Sequence, residues 1–228
     1  MAEGKGSGPF VRSPQFENVQ SGVSSTEDMI VTTPYLHNTE TKLLLQVKKD
    51  LDRHEGYREF AYPDPLSKLM QRHPRELWGF VPAREILQKI GVDPEDAAEL
   101  GAPWTVGHGF TGGTTLDSRM GRTISERKLE EKILEEHNKL KAALPWYADA
   151  SFVVHTILIN MAFNMGLKGL LGFRNTLAYI KAKQYAQAAA NMRKSKWYQQ
   201  VPNRASELAR RMETQEIPVQ FKAPEKIQ

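Results

Sequence analysis

The chain has 228 residues, 40% of them hydrophobic, a formal net charge of +4 and no cysteine. That length holds one domain or two small lobes around a real core, and without cysteine there is no disulfide framework and no thiolate metal site. The six histidines (37, 54, 73, 108, 137 and 155) show no His-Glu-x-x-His spacing, so neither zinc nor another cofactor is expected.

No apolar run approaches the roughly 20 residues of a membrane span, and no charged-then-apolar segment opens the chain, so synthesis in the cytoplasm is expected. Residues 1–38 are rich in Gly, Ser, Thr, Pro, Asn and Gln without a sustained period, and read as a polar extended arm. A first helix is predicted from Thr39 to His54, with Leu44, Val47 and Leu51 on one face and Lys42, Lys48, Lys49 and Asp50 mostly off it. Gly56 is its stop signal. Between Asp64 and Pro103 lie a short helix, "PAREILQKIG", and a further helical turn opening at "DPEDAAELG". "PWTVGHGFTGG" reads as a tight hairpin. A long connecting helix over 123–143, "TISERKLEEKILEEHNKLKAA", opens with Thr123 and Glu126 in capping-box spacing. Helical blocks then fill a carboxyl-terminal lobe over 144–215, and 216–228 is a tail. The class is α+β and mostly helical, with an amino-terminal lobe over 39–122.

Charge is uneven. Between Ala150 and Met212 ten lysines and arginines face one acid, Glu207, a net of +9. Such a face suits an anionic partner, although a solvated helix surface accounts equally for any single lysine. The basic residues lack the aromatic interleaving of a nucleic-acid stacking platform, so no nucleic-acid partner is expected.

The stretch "RHEGYREFAYPDP" carries the chemistry. Glu55 falls at the last turn of the first helix, where the helix dipole disfavours a negative charge, so a carboxylate there asks for a cation. Asp64 follows nine residues on. Glycoside hydrolysis needs one acid to protonate the leaving oxygen and a second carboxylate to attack the sugar or activate water. Two acids at this spacing are also common as surface ion-pair partners. Ser67, Ser118 and Ser125 sit in no nucleophile-elbow context.

"HEGYREFAYPD" resembles the active-site opening of the phage-type lysozymes, the T-even endolysin family. "WTVGHGFT" supplies the strand that follows, with Thr105 before Gly107 and Gly109. "ILINMAFNMGLKGLLGFRNTLAYI" and "KSKWYQQVPNRA" are similar to the family's carboxyl-lobe helices and closing signature, in the same order. The likeness covers about residues 40–215. It implies a two-lobed lysozyme-like fold, with a small hairpin lobe, a connecting helix and a helical carboxyl lobe. It implies Glu55 as general acid, Asp64 supporting the attacking water or the developing oxocarbenium charge, and Thr105 holding that water. By position, Phe163, Thr176 (where serine is usual) and Asn191 match saccharide contacts, and Arg204 matches an arginine beside the acid. Thr111 falls at a further contact position, where leucine is usual. Core packing and ordinary helix polarity compete for Phe163 and Asn191.

Two departures stand out. Forty residues separate Asp64 from Thr105 where the family has five, so 65–103 is an insertion into the active-site hairpin, affordable at about 1–2 kcal/mol of loop closure. Phe110 stands where a prominent member has histidine, which removes an ion pair. The expected function is a muramidase cleaving the β-1,4 bond between N-acetylmuramic acid and N-acetylglucosamine in peptidoglycan, with an inverting outcome. Phage use is expected, with docking to tail or core proteins through 1–38 and 65–103. A virion-associated enzyme is favoured over a free endolysin, because a free lysin has no evident need for the arm. The competing class is a virion structural protein that keeps the fold and little activity; the joint presence of Glu55, Asp64 and Thr105 favours the enzyme.

Overall fold

The computed structural model describes residues 39–73 and 78–217; the arm at 1–38 and most of the tail lie outside them. The first helix, α1 (Thr39–Glu55), leads into β1 (Arg58–Tyr62). Residues 65–103, the segment expected as an insertion, contain α2 (Lys68–Arg72), α3 (Ala83–Ile90) and α4 (Pro94–Leu100) before β2 (Thr105–Gly107). Then follow α5 (Arg122–Ala143), a 3-10 turn (Pro145–Asp149), α6 (Phe152–Leu171), α7 (Arg174–Lys181), α8 (Tyr185–Arg193), α9 (Lys196–Gln200) and α10 (Pro202–Thr214). The described chain is thus mostly helical, with one two-stranded antiparallel sheet, as the sequence indicates.

Two apolar cores organise these elements. The larger gathers Leu43, Val47 and Leu51 of α1, Leu129, Ile133 and Leu140 of α5, and the apolar faces of α6, α8 and α10. Leu43, not Leu44, is fully inside it, and Asp50, expected among the off-face residues, is buried with a cationic partner. The smaller core belongs to the insertion and its base: Ala61, Leu69, Trp78, Leu87, Trp104 and Leu116 are among its members. Trp78 and Trp104 meet edge-to-face with centroids 6.0 Å apart, a geometry that adds about 0.5–1.5 kcal/mol beyond area burial. The insertion is therefore packed, and it is tied off at its base. The Asp64 amide donates to Gly101 O at 3.0 Å, and Tyr62 pairs with Thr105 across the sheet. β1 and β2 thus keep their pairing despite the forty residues between Asp64 and Thr105.

The expected hairpin is present: Val106 and Phe110 exchange both backbone hydrogen bonds at 2.9 Å around Gly107 and Gly109. Gly107, at φ 66°, is obligatory on two counts, since an added Cβ would also collide with Ser125 Oγ and reach Met120 Sδ at 2.9 Å.

The capping box at Thr123 and Glu126 does not form. α5 begins at Arg122 with Gly121 as its cap, and no side chain caps it. Arg122 extends the helix because it pairs with Glu126 one turn on and stacks on Tyr57; Glu126 also reaches Lys48.

By length and composition α6 could cross a membrane, with a mean hydropathy of 1.2 over its most apolar window. An uninterrupted run was not visible in the sequence because His155, Asn160, Asn164 and Lys168 punctuate it. Half of that window is buried within this unit, and Gly166, at φ 73° and ψ 159°, breaks the helix.

Candidate active site

α1 stops where the sequence says it should. Gly56 takes φ 68° and its amide donates to Asp52 O at 3.0 Å, a left-handed helix ending that glycine adopts without strain. This leaves Glu55 on the last turn, partly exposed. The cation it asks for is Arg204, whose Nη2 donates to Glu55 Oε1 at 2.7 Å. Arg204 stands in the first turn of α10, so the positive end of that helix also faces the negative end of α1. Arg204 is only 7% exposed, and its Nη1 has no partner among the described residues. Beside the other carboxylate oxygen runs the hairpin: a Cβ placed on Gly109 would lie 3.9 Å from Glu55 Oε2.

Behind this pair a second, larger ion network joins the same two helices. Asp50, at 0% exposure, accepts from Arg211 Nη1 at 2.5 Å and Nη2 at 2.9 Å. Glu207 accepts from Arg211 at 2.5 Å and Arg53 at 2.8 Å, and lies 3.1 Å from His54 Nε2. Asn160 Nδ2 lies 3.3 Å from His54 Nδ1. Burial pushes the Glu207 carboxyl up, but the hydrogen bonds from His54 and Arg53 and the charge of Arg211 outweigh it and hold the group well below the usual carboxylate range. The lone acid of the basic segment is thus its anchor. Sequence reasoning missed this role. The only local signals were the i, i+4 spacing of Glu207 and Arg211 and the i, i+3 spacing of Asp50 and Arg53.

The remaining expected residues lie in separate parts of the fold. Asp64 and Thr105 stay with the sheet. Asp64 Oδ1 accepts from Leu66 N at 2.7 Å in a turn that launches the insertion, and Thr105, largely buried, sits opposite Tyr62. Thr176 and Asn191 meet in the carboxyl lobe, where Asn191 Nδ2 donates to Thr176 Oγ1 at 2.7 Å. Asn191 lines a cavity of about 420 Å³ with Phe173, Arg174 and Lys194. Phe163 packs against the large core while remaining partly exposed. Thr111 is exposed and lines a different cavity, of about 570 Å³, between the hairpin loop and α3 and α4 of the insertion. Glu55 itself borders a small cavity of about 110 Å³ whose walls are Arg58, Tyr62, Pro65, Met70 and Trp78. The inserted residues therefore form one wall beside the candidate acid.

A serine, a histidine and an aspartate also line up. Ser125 Oγ lies 2.7 Å from His108 Nδ1, and His108 Nε2 lies 2.8 Å from Asp52 Oδ1. The order matches a nucleophilic triad, but both Ser125 and His108 are at 0% exposure, and Ser125 Oγ also accepts from the His108 amide at 3.1 Å. No reacting carbonyl can approach, so this chain of bonds is a strut tying the hairpin to α1 and α5. It also qualifies the expectation drawn from Phe110. Phe110 itself carries no charge and lies 5.8 Å from the Lys128 ammonium in a cation–π contact, while His108, two residues earlier, makes a hydrogen-bond-distance contact to Asp52 of α1. Among the described residues no group of three or more His, Asp or Glu side chains is placed to hold a metal ion.

No family model matches the chain. A probable T4-type lysozyme from Dictyostelium discoideum is 40% identical to it over 57 residues, which make up 25% of this chain. The chain covers 34% of the length of that relative, about a third of it. The chain is therefore similar, over a quarter of its length, to a T4-type lysozyme.

Proposed function

We propose that this protein is a lysozyme-like peptidoglycan hydrolase, a muramidase that cleaves the β-1,4 bond between N-acetylmuramic acid and N-acetylglucosamine. The observation that carries the reading is Glu55: an acid at a helix terminus, held by Arg204 at 2.7 Å, beside a glycine-lined hairpin and a cavity. The partial likeness to a T4-type lysozyme supports the same reaction class.

In this mechanism Glu55 donates its proton to the bridging oxygen as the bond to the muramic-acid C1 breaks, leaving a free hydroxyl on the departing N-acetylglucosamine. Water held by the Thr105 hydroxyl attacks C1 from the other face and gives up a proton to Asp64, with inversion at C1. A well-placed general acid contributes roughly 10²- to 10⁴-fold in rate. Phe163 and Asn191 contact the glycan, Thr176, expected as a contact but fully buried, fixes the Asn191 amide instead, and Thr111 is an outlying contact beyond the hairpin. The basic face of the carboxyl lobe meets the anionic wall.

The packed insertion, with Leu66 exposed on it, supports its use as a docking element as well. A phage particle protein of the tail or core is the partner that this reading assigns to it.

Mass spectrometry of soluble fragments from purified sacculi tests the reaction. New reducing ends should be muramic acid, and the first anomer seen by proton NMR should be α. Reducing ends on N-acetylglucosamine, or no new reducing ends at all, would overturn the assignment.

A further inference from the structure

The small cavity beside Glu55 contains a second arginine, and the way it is held is specific to the insertion. Arg58 opens β1, three residues after Glu55. Its aliphatic arm lies across Gly79, where an added Cβ would sit 2.7–2.8 Å from Arg58 Cβ, Cγ and Cδ. Gly79, at φ 85°, thus leaves the channel that the arm occupies. The Phe80 ring lies under the guanidinium, 4.1 Å from Cζ to centroid. At its far end Nη1 donates to Tyr57 O at 3.3 Å and lies 3.6 Å from where a Cβ on Gly56 would be. The guanidinium is therefore fixed against the residue that follows the candidate acid.

Its charge is matched by no carboxylate among the described residues. Nearby, Arg119 pairs with Glu59 at 2.6 Å and Arg122 with Asp52 at 3.4 Å, whereas Arg58 has no carboxylate within ion-pair distance among the described residues. Glu55 does not need it, since Arg204 already engages Oε1. Glu55, Tyr62, Pro65, Met70 and Trp78 line the cavity with Arg58, and an ion pair completed in a space partly walled by protein is stronger than one in open water. A guanidinium immobilised by stacking, with open N–H donors and no acid paired to it among the described residues, matches a planar carboxylate from outside.

We infer that Arg58, clamped by Gly79 and Phe80 of the insertion, is a specificity residue that binds a substrate carboxylate. The carboxylate is one borne on the 3-O arm of the muramic-acid residue next to the scissile bond. The inference rests on the muramidase reading. The carboxylate comes from the lactyl group itself where the glycan is bare, or from the acidic residues of the stem peptide where it is not.

Kinetics on native sacculi and on sacculi with carboxyls amidated by carbodiimide and ammonia test it. Wild type should favour native wall by roughly ten- to a hundredfold in KM, the range of a charge-assisted pair. Arg58→Gln should erase that preference by raising KM on native wall only, with kcat within about threefold. Arg58→Lys should restore part of the preference, and Phe80→Ala should weaken it in the same direction with the charge still present. Equal losses on native and amidated wall, or a wild type indifferent to amidation, would overturn the inference. Glycan stripped of peptides separates the sources: a preference that survives stripping assigns the lactyl group, and one lost on stripping assigns the stem peptide. Sedimentation of Glu55→Gln protein with native and amidated wall reads the same preference without turnover. A wild type that cleaves neither wall yet still binds the native one better thus refutes the muramidase reading and not the carboxylate site.

Discussion

Replacing Asp50 with alanine is expected to be the most damaging single change away from the cleft. Asp50 accepts four hydrogen bonds: two from Arg211 at 2.5 and 2.9 Å, one from Arg53 at 3.2 Å and one from Gln46 at 3.1 Å. Its loss leaves Arg211, which is 2% exposed and whose Nε already lacks a partner among the described residues, with Glu207 alone and no acceptor at Nη1. Removing one member of a buried ion pair costs about 3–5 kcal/mol. At about 2–4 °C per kcal/mol for a chain of this size, the midpoint should fall by roughly 6–20 °C. Because the network binds α1 to α10, the helices that carry Glu55 and Arg204, wall lysis well below the new midpoint should fall as well. Asp50→Asn, which keeps the shape and one acceptor, should cost less. A double change, Asp50→Leu with Arg211→Met, should recover part of the loss by removing both charges together. The assay is thermal unfolding followed by circular dichroism, with urea denaturation as a check. A midpoint for Asp50→Ala within about 2 °C of wild type would refute the idea that this network holds the two helices together.

Other expectations follow from single sites. His137 is buried against Tyr147; burial, Lys141 and His155 lower its pKa to about 4, and Glu40 opposes them weakly. The unfolded chain therefore takes up the proton first, so stability present above about pH 6.5 is lost as pH falls toward 4, with a steepest slope near 1.4 kcal/mol per pH unit. His137→Gln should flatten that slope between pH 6.5 and 5 in urea titrations. Gly107→Ala should destabilise by roughly 2–5 kcal/mol, summing left-handed strain and collision with Ser125 and Met120. Gly113→Ala, at φ 70° but in open space, should pay only the strain. Asn191→Ala should raise KM for wall fragments by roughly tenfold with kcat little changed, since Asn191, held by buried Thr176, is the proposed glycan contact.

The parts of this molecule that were legible in its sequence are those fixed locally. Gly56 ends α1 because a left-handed residue is needed there, and the dipole argument asks for a cation that Arg204 supplies. The glycines at 107 and 109 announce the hairpin, since both take positive φ (66° and 95°) and a Cβ at 107 would collide with Ser125. What could not be read depends on contacts across the chain. Nothing near Asp50 indicates that its partner lies 161 residues away, and helical spacing alone places it among solvated lysines. Thr123 and Glu126 have the spacing of a cap, yet Arg122 finds a better arrangement by joining the helix and stacking on Tyr57. The insertion reads as an excursion of short helices. Its core, built by Trp78 and Trp104 with residues from both β1 and the loop after the hairpin, emerges only when those distant segments meet. Arg58 escaped notice for the same reason: its significance lies in Gly79 and Phe80, twenty-one and twenty-two residues later in the chain.

The central claim is that Glu55 performs the proton transfer that cuts the glycan. Turbidity loss of purified sacculi by Glu55→Gln protein, compared with wild type at equal concentration and matched thermal midpoint, tests it most directly. The expected result is a fall in rate of roughly 10²-fold or more, with the fold intact; clearing at the wild-type rate by a properly folded variant would contradict the claim.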